Sequence, residues 1–277
     1  MLDTPDRAAL VALLEFYVES GVDLALDETP RDRFTADDTA EPDELERSVA
    51  LPSLRAPAPI APAARRFDAK SLPAFPEDAT QAAREQARDA ATLAELEALL
   101  ARFEGCGLRV TAKNLVFADG NPQGRVMFVG EAPGGDEDRI GKPFVGRSGQ
   151  LLDRMLAAIG LGRNDVYIAN VVPWRPPGNR TPTPQEVSVC KPFIERQIEL
   201  ADPDILVCLG GPATQTLLAT KDGILKTRGR WFSYQTGRRE IRAFATLHPA
   251  YLLRQPLQKR LAWRDFRALK RALRTPS

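Results

Sequence analysis

The chain has 277 residues, 43% of them hydrophobic, enough to bury a sizeable core. No stretch approaches a membrane span, and the first residues, MLDTPDRAAL, lack the basic start and long apolar run of a secretory leader. A soluble intracellular protein is the expectation. Cys106, Cys190 and Cys208 lie far apart with no CxxC pair, which argues against a disulfide framework and a self-evident zinc site. The net charge of +1 conceals an asymmetry: residues 1–100 hold 21 Asp/Glu against 10 Lys/Arg, whereas residues 226–277 hold 14 Lys/Arg against only Glu240 and Asp265. The basic end suits phosphates, or equally a solvated helix face.

In chain order, residues 1–26 contain an amphipathic helix, AALVALLEFYVES, stopped at Gly21. Residues 27–78 carry acid clusters and the stretch APAPIAPAA, the composition of a flexible linker. Residues 79–277 form the working domain. It opens with one helix from about Ala79 to Phe103, with Leu93, Leu96, Leu99, Leu100 and Phe103 on an apolar face. Four strands follow, at 125–130, 165–172, 204–210 and 239–247, with helices between them, including LLDRMLAAIG and one beginning near Pro184. This alternation predicts an α/β fold with a mainly parallel sheet, and in such sheets ligands bind beyond the carboxyl ends of the strands.

The unusual motifs fall at those ends. GEAPGGDEDRIGKPFVG (130–146) follows the first strand; its glycines and Pro133 prevent a helix, let backbone amides approach a ligand, and set Glu131, Asp136, Glu137 and Asp138 beside it. It lacks the endings of nucleotide-binding loops, and four carboxylates repel phosphate. Phe144 in this loop can stack on a base or plug the core. Asn170 ends the next strand: its carboxamide can match the N3–H and O4 edge of uracil, although Asn is also an ordinary strand-end residue. VVPWRPPGNRTPTPQE then makes a stiff loop with Arg175 and Arg180, suited to phosphates or to bracing. His248, the single histidine, sits in a loop after the last strand, where a neutral ring can donate to a carbonyl oxygen or serve structure alone. Beside it Leu252 and Leu253 with Arg254 form either an apolar wedge with a phosphate anchor or a hydrophobic helix start.

Together GEAPG–x(9)–FVG, the Asn-bearing strand with RPPGNR, the LG of DILVCLGGPA, and HPAYLLR resemble the uracil-DNA glycosylase superfamily, in its family-four branch, over residues 106–271. Each motif is weak alone; their joint order is specific. The resemblance implies a three-layer α/β/α sandwich around a four-stranded, mainly parallel sheet. It also implies that Glu131, Glu137 and His248 are catalytic, that Ala132, Phe144, Asn170 and His248 bind uracil, and that Arg175, Arg180, Leu252, Leu253 and Arg254 meet DNA. The activity implied is base flipping and hydrolysis of the uracil N-glycosidic bond without a covalent enzyme intermediate. The implied partner is uracil-containing DNA, acted on by a monomer in the bacterial cytoplasm near the nucleoid, with abasic-site repair enzymes downstream. Family-four enzymes hold a four-iron four-sulfur cluster on four cysteines, and the matching positions here read Phe103, Cys106, Trp174 and Cys190. With two ligands replaced by large apolar groups, the expectation is no metal and no cofactor, Phe103 and Trp174 packing near the remaining thiols. The alternatives are a catalytically inactive DNA-binding sensor of the same fold and a nucleotide hydrolase holding a divalent metal on the acidic loop.

Overall fold

A computed structural model of the chain describes residues 77–274. The helix expected within 1–26, and all but the last two residues of the expected linker 27–78, lie outside the described residues.

The leading helical segment is two helices, α1 (Glu77–Asp89) and α2 (Leu93–Arg102), where the sequence pattern predicts one. Thr92 makes the break. Its hydroxyl accepts from the Glu95 amide (3.2 Å), and the Glu95 carboxylate accepts from the Ala91 amide (2.7 Å), a reciprocal cap that starts a new helix. After the short α3 (Leu108–Thr111) the sheet begins with β1 (Asp119–Gly120), β2 (Val126–Gly130) and, two helices later, β3 (Val166–Asn170). Those two helices are α4 (Gly135–Ile140) and α5 (Arg147–Ile159). The remainder runs α6 (Pro184–Ala201), β4 (Ile205–Leu209), α7 (Gly211–Leu218), α8 (Ile224–Thr227), β5 (Trp231–Gln235), β6 (Glu240–Thr246), α9 (Pro249–Arg254) and α10 (Lys259–Arg274).

The sheet has six strands in the order β1-β3-β2-β4-β6-β5, so the expected four-stranded sheet is corrected to six. The four expected strands form the parallel centre; β1 and β5 pair antiparallel at the two edges. The edges escaped the sequence reading because β1 is two residues long and β5, WFSYQ, is mostly exposed and has no apolar run. Every residue of β2, β3 and β4 is buried, as in a sheet covered on both faces. Successive side chains of β2 serve opposite layers. Met127 and Val129 enter a core with Phe103, Cys106, Trp174, Cys190 and Phe193, beneath α1, α2 and α6. Val126 and Phe128 enter the other, with Leu152, Leu156, Phe244 and Phe266 from the opposite side.

The last helix is fixed by a buried polar anchor. Asp265 in α10 accepts from the Thr246 hydroxyl at the end of β6 (2.7 Å) and from the Arg228 guanidinium (Nε 3.0 Å). Burial pushes its carboxyl up, and Arg228 and Thr246 oppose that. The next residue, Phe266, packs against Phe128 with ring centroids 6.1 Å apart. Among the described residues no helix is long and apolar enough to cross a membrane. Removing the Phe266 ring leaves a cavity between α10 and the sheet, so Phe266→Ala is expected to lower unfolding free energy by about 3–5 kcal/mol, read from denaturant midpoints at constant slope.

Candidate active site

Parallel pairing in register sets Gly130 opposite Asn170 at the carboxyl ends of β2 and β3. The chain leaves both strands there and opens a cleft of about 530 Å³, lined by Glu131, Ala132, Glu137, Phe144, Asn170 and His248. These six expected site residues therefore come to one place from the carboxyl ends of three strands, β2, β3 and β6, and the segments that follow them. Arg180 and Arg254 line the same cleft; Arg175, Leu252 and Leu253 do not.

The acidic loop is not free of helix as expected. Residues 135–140 form α4, because the Glu137 side chain caps it by accepting from the Gly134 amide (3.1 Å). The other Glu137 oxygen accepts from the amides of Val145 and Gly146 (3.0 and 2.9 Å), so this carboxylate ties the two ends of the loop together. Asp138 turns away from the cleft to accept from the amides of Lys113 and Asn114 (2.8 and 3.2 Å), and Asp136 lies near Arg139 (3.4 Å). Glu131 differs from all three. Its Oε1 is buried with no hydrogen-bond partner, and burial raises its carboxyl above the usual range.

Phe144 lies on the cleft wall with φ +53°, a left-handed backbone that an aromatic residue adopts only when its surroundings hold it. Two features hold it. Gly149 passes against the Phe144 carbonyl so closely that a Cβ there would lie 1.7 Å from that oxygen. Arg163 donates to the Phe144 carbonyl (2.9 Å) and to that of Pro143, while pairing with Asp119 and with Asp153 (2.8 Å). Arg163 is a positioning residue missed by the sequence reading; it lies outside every motif, and only the fold brings β1, α5 and the loop around it.

Asn170 is 5% exposed, and its Oδ1 has no partner. Glu131 and Asn170 hold the two unpartnered buried side-chain oxygens found among the described residues, and both belong to this cleft. Such acceptors cost free energy unless a ligand or water supplies a proton. His248 stands across from Phe144, ring centroids 5.5 Å apart. Its Nδ1 accepts from the Ala250 amide (3.1 Å), which leaves the hydrogen on Nε2. Burial first, and then the charge of Arg254, pushes its pKa down to about 4, so at neutral pH the ring is an uncharged donor.

The outer residues divide. Leu252 is 1% exposed and packs with Leu247 and Ala262, so the expectation that it enters DNA is corrected: it is a core residue under α9. Leu253 is 36% exposed, and Leu257, which the sequence reading passed over, is 84% exposed. Arg180 is engaged by a two-pronged pair with Glu186 (2.7 and 2.9 Å), which braces the loop before α6. Arg175 donates to Asn179 (2.7 Å). Arg254 has no carboxylate partner among the described residues.

Two outcomes follow from this geometry. The ring protons of His248, followed by NMR, should titrate with a midpoint near 4, well below the model-peptide value of about 6.5. Gly130→Ala should perturb the cleft while leaving the sheet folded, because the added Cβ would lie 2.5 Å from Asn170 Oδ1 and 2.7 Å from Phe144 Cζ. Its expected signature is displaced Asn170 and Phe144 resonances, with an unchanged far-ultraviolet circular dichroism spectrum.

The family model of the uracil DNA glycosylase superfamily matches residues 117–267. A type-4 uracil-DNA glycosylase of Thermotoga maritima is 46% identical over 54% of this chain and 77% of its own length. One from Archaeoglobus fulgidus is 42% identical over 59% of this chain and 84% of its own. A type-5 uracil-DNA glycosylase of Pyrobaculum aerophilum is 33% identical over 48% and 64%. Kinship with type-4 enzymes corrects the expectation of no cofactor. That is the branch whose members hold a four-iron four-sulfur cluster, and the relatives do not support its absence here. At the four ligand positions Cys106 and Cys190 lie 3.8 Å apart, sulfur to sulfur, within one core with Phe103 and Trp174. Two thiols do not make the four-cysteine set of that group. The family model spans more than half of the chain, and the chain belongs to the uracil-DNA glycosylase superfamily.

Proposed function

We propose that this chain removes uracil from DNA by hydrolysing its N-glycosidic bond, leaving an abasic site for base excision repair. The observation that carries the reading is the pair of buried, unpartnered acceptors, Glu131 Oε1 and Asn170 Oδ1, in one cleft with the Phe144 ring and a neutral, donating His248.

Uracil rotated out of the stack, at a cost of about a few kcal/mol, meets this lining. The base lies on Phe144. Its N3–H donates to Asn170 Oδ1 and its O4 accepts from the Asn170 amide; cytosine presents a lone pair at N3 and a donor at the neighbouring position, so it leaves Oδ1 unpaired and is rejected. As the glycosidic bond lengthens, negative charge gathers on the uracil O2. His248 Nε2–H donates to it; an imidazole already neutral loses nothing by keeping its proton. Glu131 has no protein donor on Oε1, and that supports it as the group that accepts a proton from water and directs the oxygen to the oxocarbenium-like sugar carbon. Atoms balance: the water oxygen bonds to the sugar carbon, the carbon–nitrogen bond breaks, and the departing uracil keeps the bonding pair. Glu137 serves through the loop ends it ties. Ala132 leaves room beside Glu131, and Leu253, Leu257 and Arg254 face the gap in the duplex and its phosphates. The working unit is a monomer on uracil-containing DNA in the cytoplasm, at the nucleoid, passing its abasic product to a strand-cutting or lyase enzyme.

The test is release of free uracil from a uracil-containing oligonucleotide under single-turnover conditions. His248→Ala is expected to slow release by about 10²–10³-fold, the effect of losing one donor to a developing anion. Asn170→Ala is expected to slow it comparably, through the lost reading of the base. Full activity in both variants would overturn the pocket assignment. Glu131 acts ionised, and its burial raises its pKa, so activity falls as pH drops through a value above 4.5. Glu131→Gln should abolish that acid limb along with most of the rate. Glu137→Gln should instead show a lowered melting temperature, because a neutral amide accepts more weakly from the three loop amides.

A further inference from the structure

Helix α10 carries a feature that the pocket does not use. Arg260, Arg264, Arg267, Arg271 and Arg274 recur at intervals of four and three residues, so they fall on one face within an arc of about 80° and over about 21 Å of helix. All five are exposed. None has a carboxylate within 4 Å among the described residues, whereas Arg125, Arg163, Arg180, Arg196, Arg228 and Arg239 are each ion-paired. The opposite face of the same helix is buried through Ala262, Phe266 and Leu269, and its single acid, Asp265, turns inward to Arg228. Five like charges thus stand in a row, repelling one another, with no carboxylate among the described residues to neutralise them.

Position adds a second argument. Four residues separate α10 from α9, whose last residue, Arg254, lines the pocket, so the row begins near the pocket rim. Its far end lies near the start of β2, where Arg125 donates to the Leu273 carbonyl (3.1 Å), at the end of the sheet opposite the pocket. The row therefore leads away from the site of base excision.

We propose that this arginine row is a second, sequence-independent binding track for duplex DNA, distinct from the lesion pocket, which keeps the enzyme on DNA while the pocket is empty. This deepens the reading of uracil excision above. A span of about 21 Å corresponds to about six base-pair steps of axial rise, long enough for the row to cross a groove and meet phosphates on both sides of it. Guanidinium groups suit phosphate oxygens, taking them two at a time. Contacts limited to phosphate carry no base preference, and that is what a search for rare lesions requires.

The test uses the full chain and a triple variant, Arg264→Gln/Arg267→Gln/Arg271→Gln, with the corresponding Arg→Lys triple as control. On a uracil-free duplex of 30 base pairs the Gln variant is expected to bind at least tenfold more weakly at low salt. Its plot of log affinity against log salt should be shallower by about three, one unit per lost cation. The Lys triple should restore most of the binding. Under saturating enzyme, single-turnover uracil release from a short single-stranded oligonucleotide should stay within about twofold of the parent. On a duplex with two uracils, the fraction cut at both in one encounter should fall. Unchanged duplex affinity and salt slope would overturn the proposal. So would an equal loss of short-oligonucleotide turnover in the Gln triple, since the row would then belong to the pocket. Lost binding to anionic lipid vesicles with duplex binding intact would also overturn it. A parent chain that binds duplex through this row yet releases no uracil would sink the excision reading and leave the track standing.

Discussion

The constraint on which the rest depends is the in-register parallel pairing of β2 with β3, which sets Gly130 beside Asn170 where both strands end. Only a residue without a side chain fits at 130, because Asn170 and the tip of Phe144 occupy the space a Cβ would need. The Asn170 amide is thus placed by the sheet, and the tip of the Phe144 ring is brought to the same point by its loop. A one-residue slip of this pairing would turn Asn170 to the other face and dismantle the pocket.

Around that point the fold uses charged groups in three distinct ways. Arg163, Asp265 and Glu137 hold the fold together: Arg163 on the Pro143 and Phe144 carbonyls, Asp265 on the Thr246 hydroxyl and the Arg228 guanidinium, Glu137 on three loop amides. Glu131 is left buried and short of a partner, a cost that makes sense where a substrate or water completes the bonding. The arginines of the exposed face of α10 have no carboxylate partner among the described residues, which suits a polyanion. Burial acts on the two titrating groups of the cleft in opposite directions: it raises the Glu131 carboxyl and lowers the His248 imidazole to about 4, so the ring is a neutral donor around neutral pH.

The inner surface also constrains where DNA can touch. Arg180 looks in sequence like a free phosphate ligand, but its fork is closed on Glu186. Leu252, equally plausible as a wedge, supports α9 from below, and the exposed apolar groups next to it are Leu253 and Leu257. The helical phase of α9 makes that choice: consecutive residues point about 100° apart, so Leu252 and Leu253 cannot both face DNA.

The amino-acid order made the four central strands legible, β2, β3 and β4 through near-continuous apolar runs that follow from burial on both faces and β6 through its apolar end, together with the pocket residues Glu131, Phe144, Asn170 and His248, because motifs at strand ends converge in a parallel sheet. It also determined the charge asymmetry of the chain. Tertiary structure alone decided the rest. The edge strands have no hydrophobic pattern to betray them, and the split of the first helix rests on one capping pair at Thr92 and Glu95. The ranking of four neighbouring acids depends on which amides reach each carboxylate. Among them only Glu131 is left with an open oxygen, and that turns on contacts between segments far apart in the chain. The role of Arg163 has the same origin, since its partners Asp119, Pro143, Phe144 and Asp153 meet only in three dimensions.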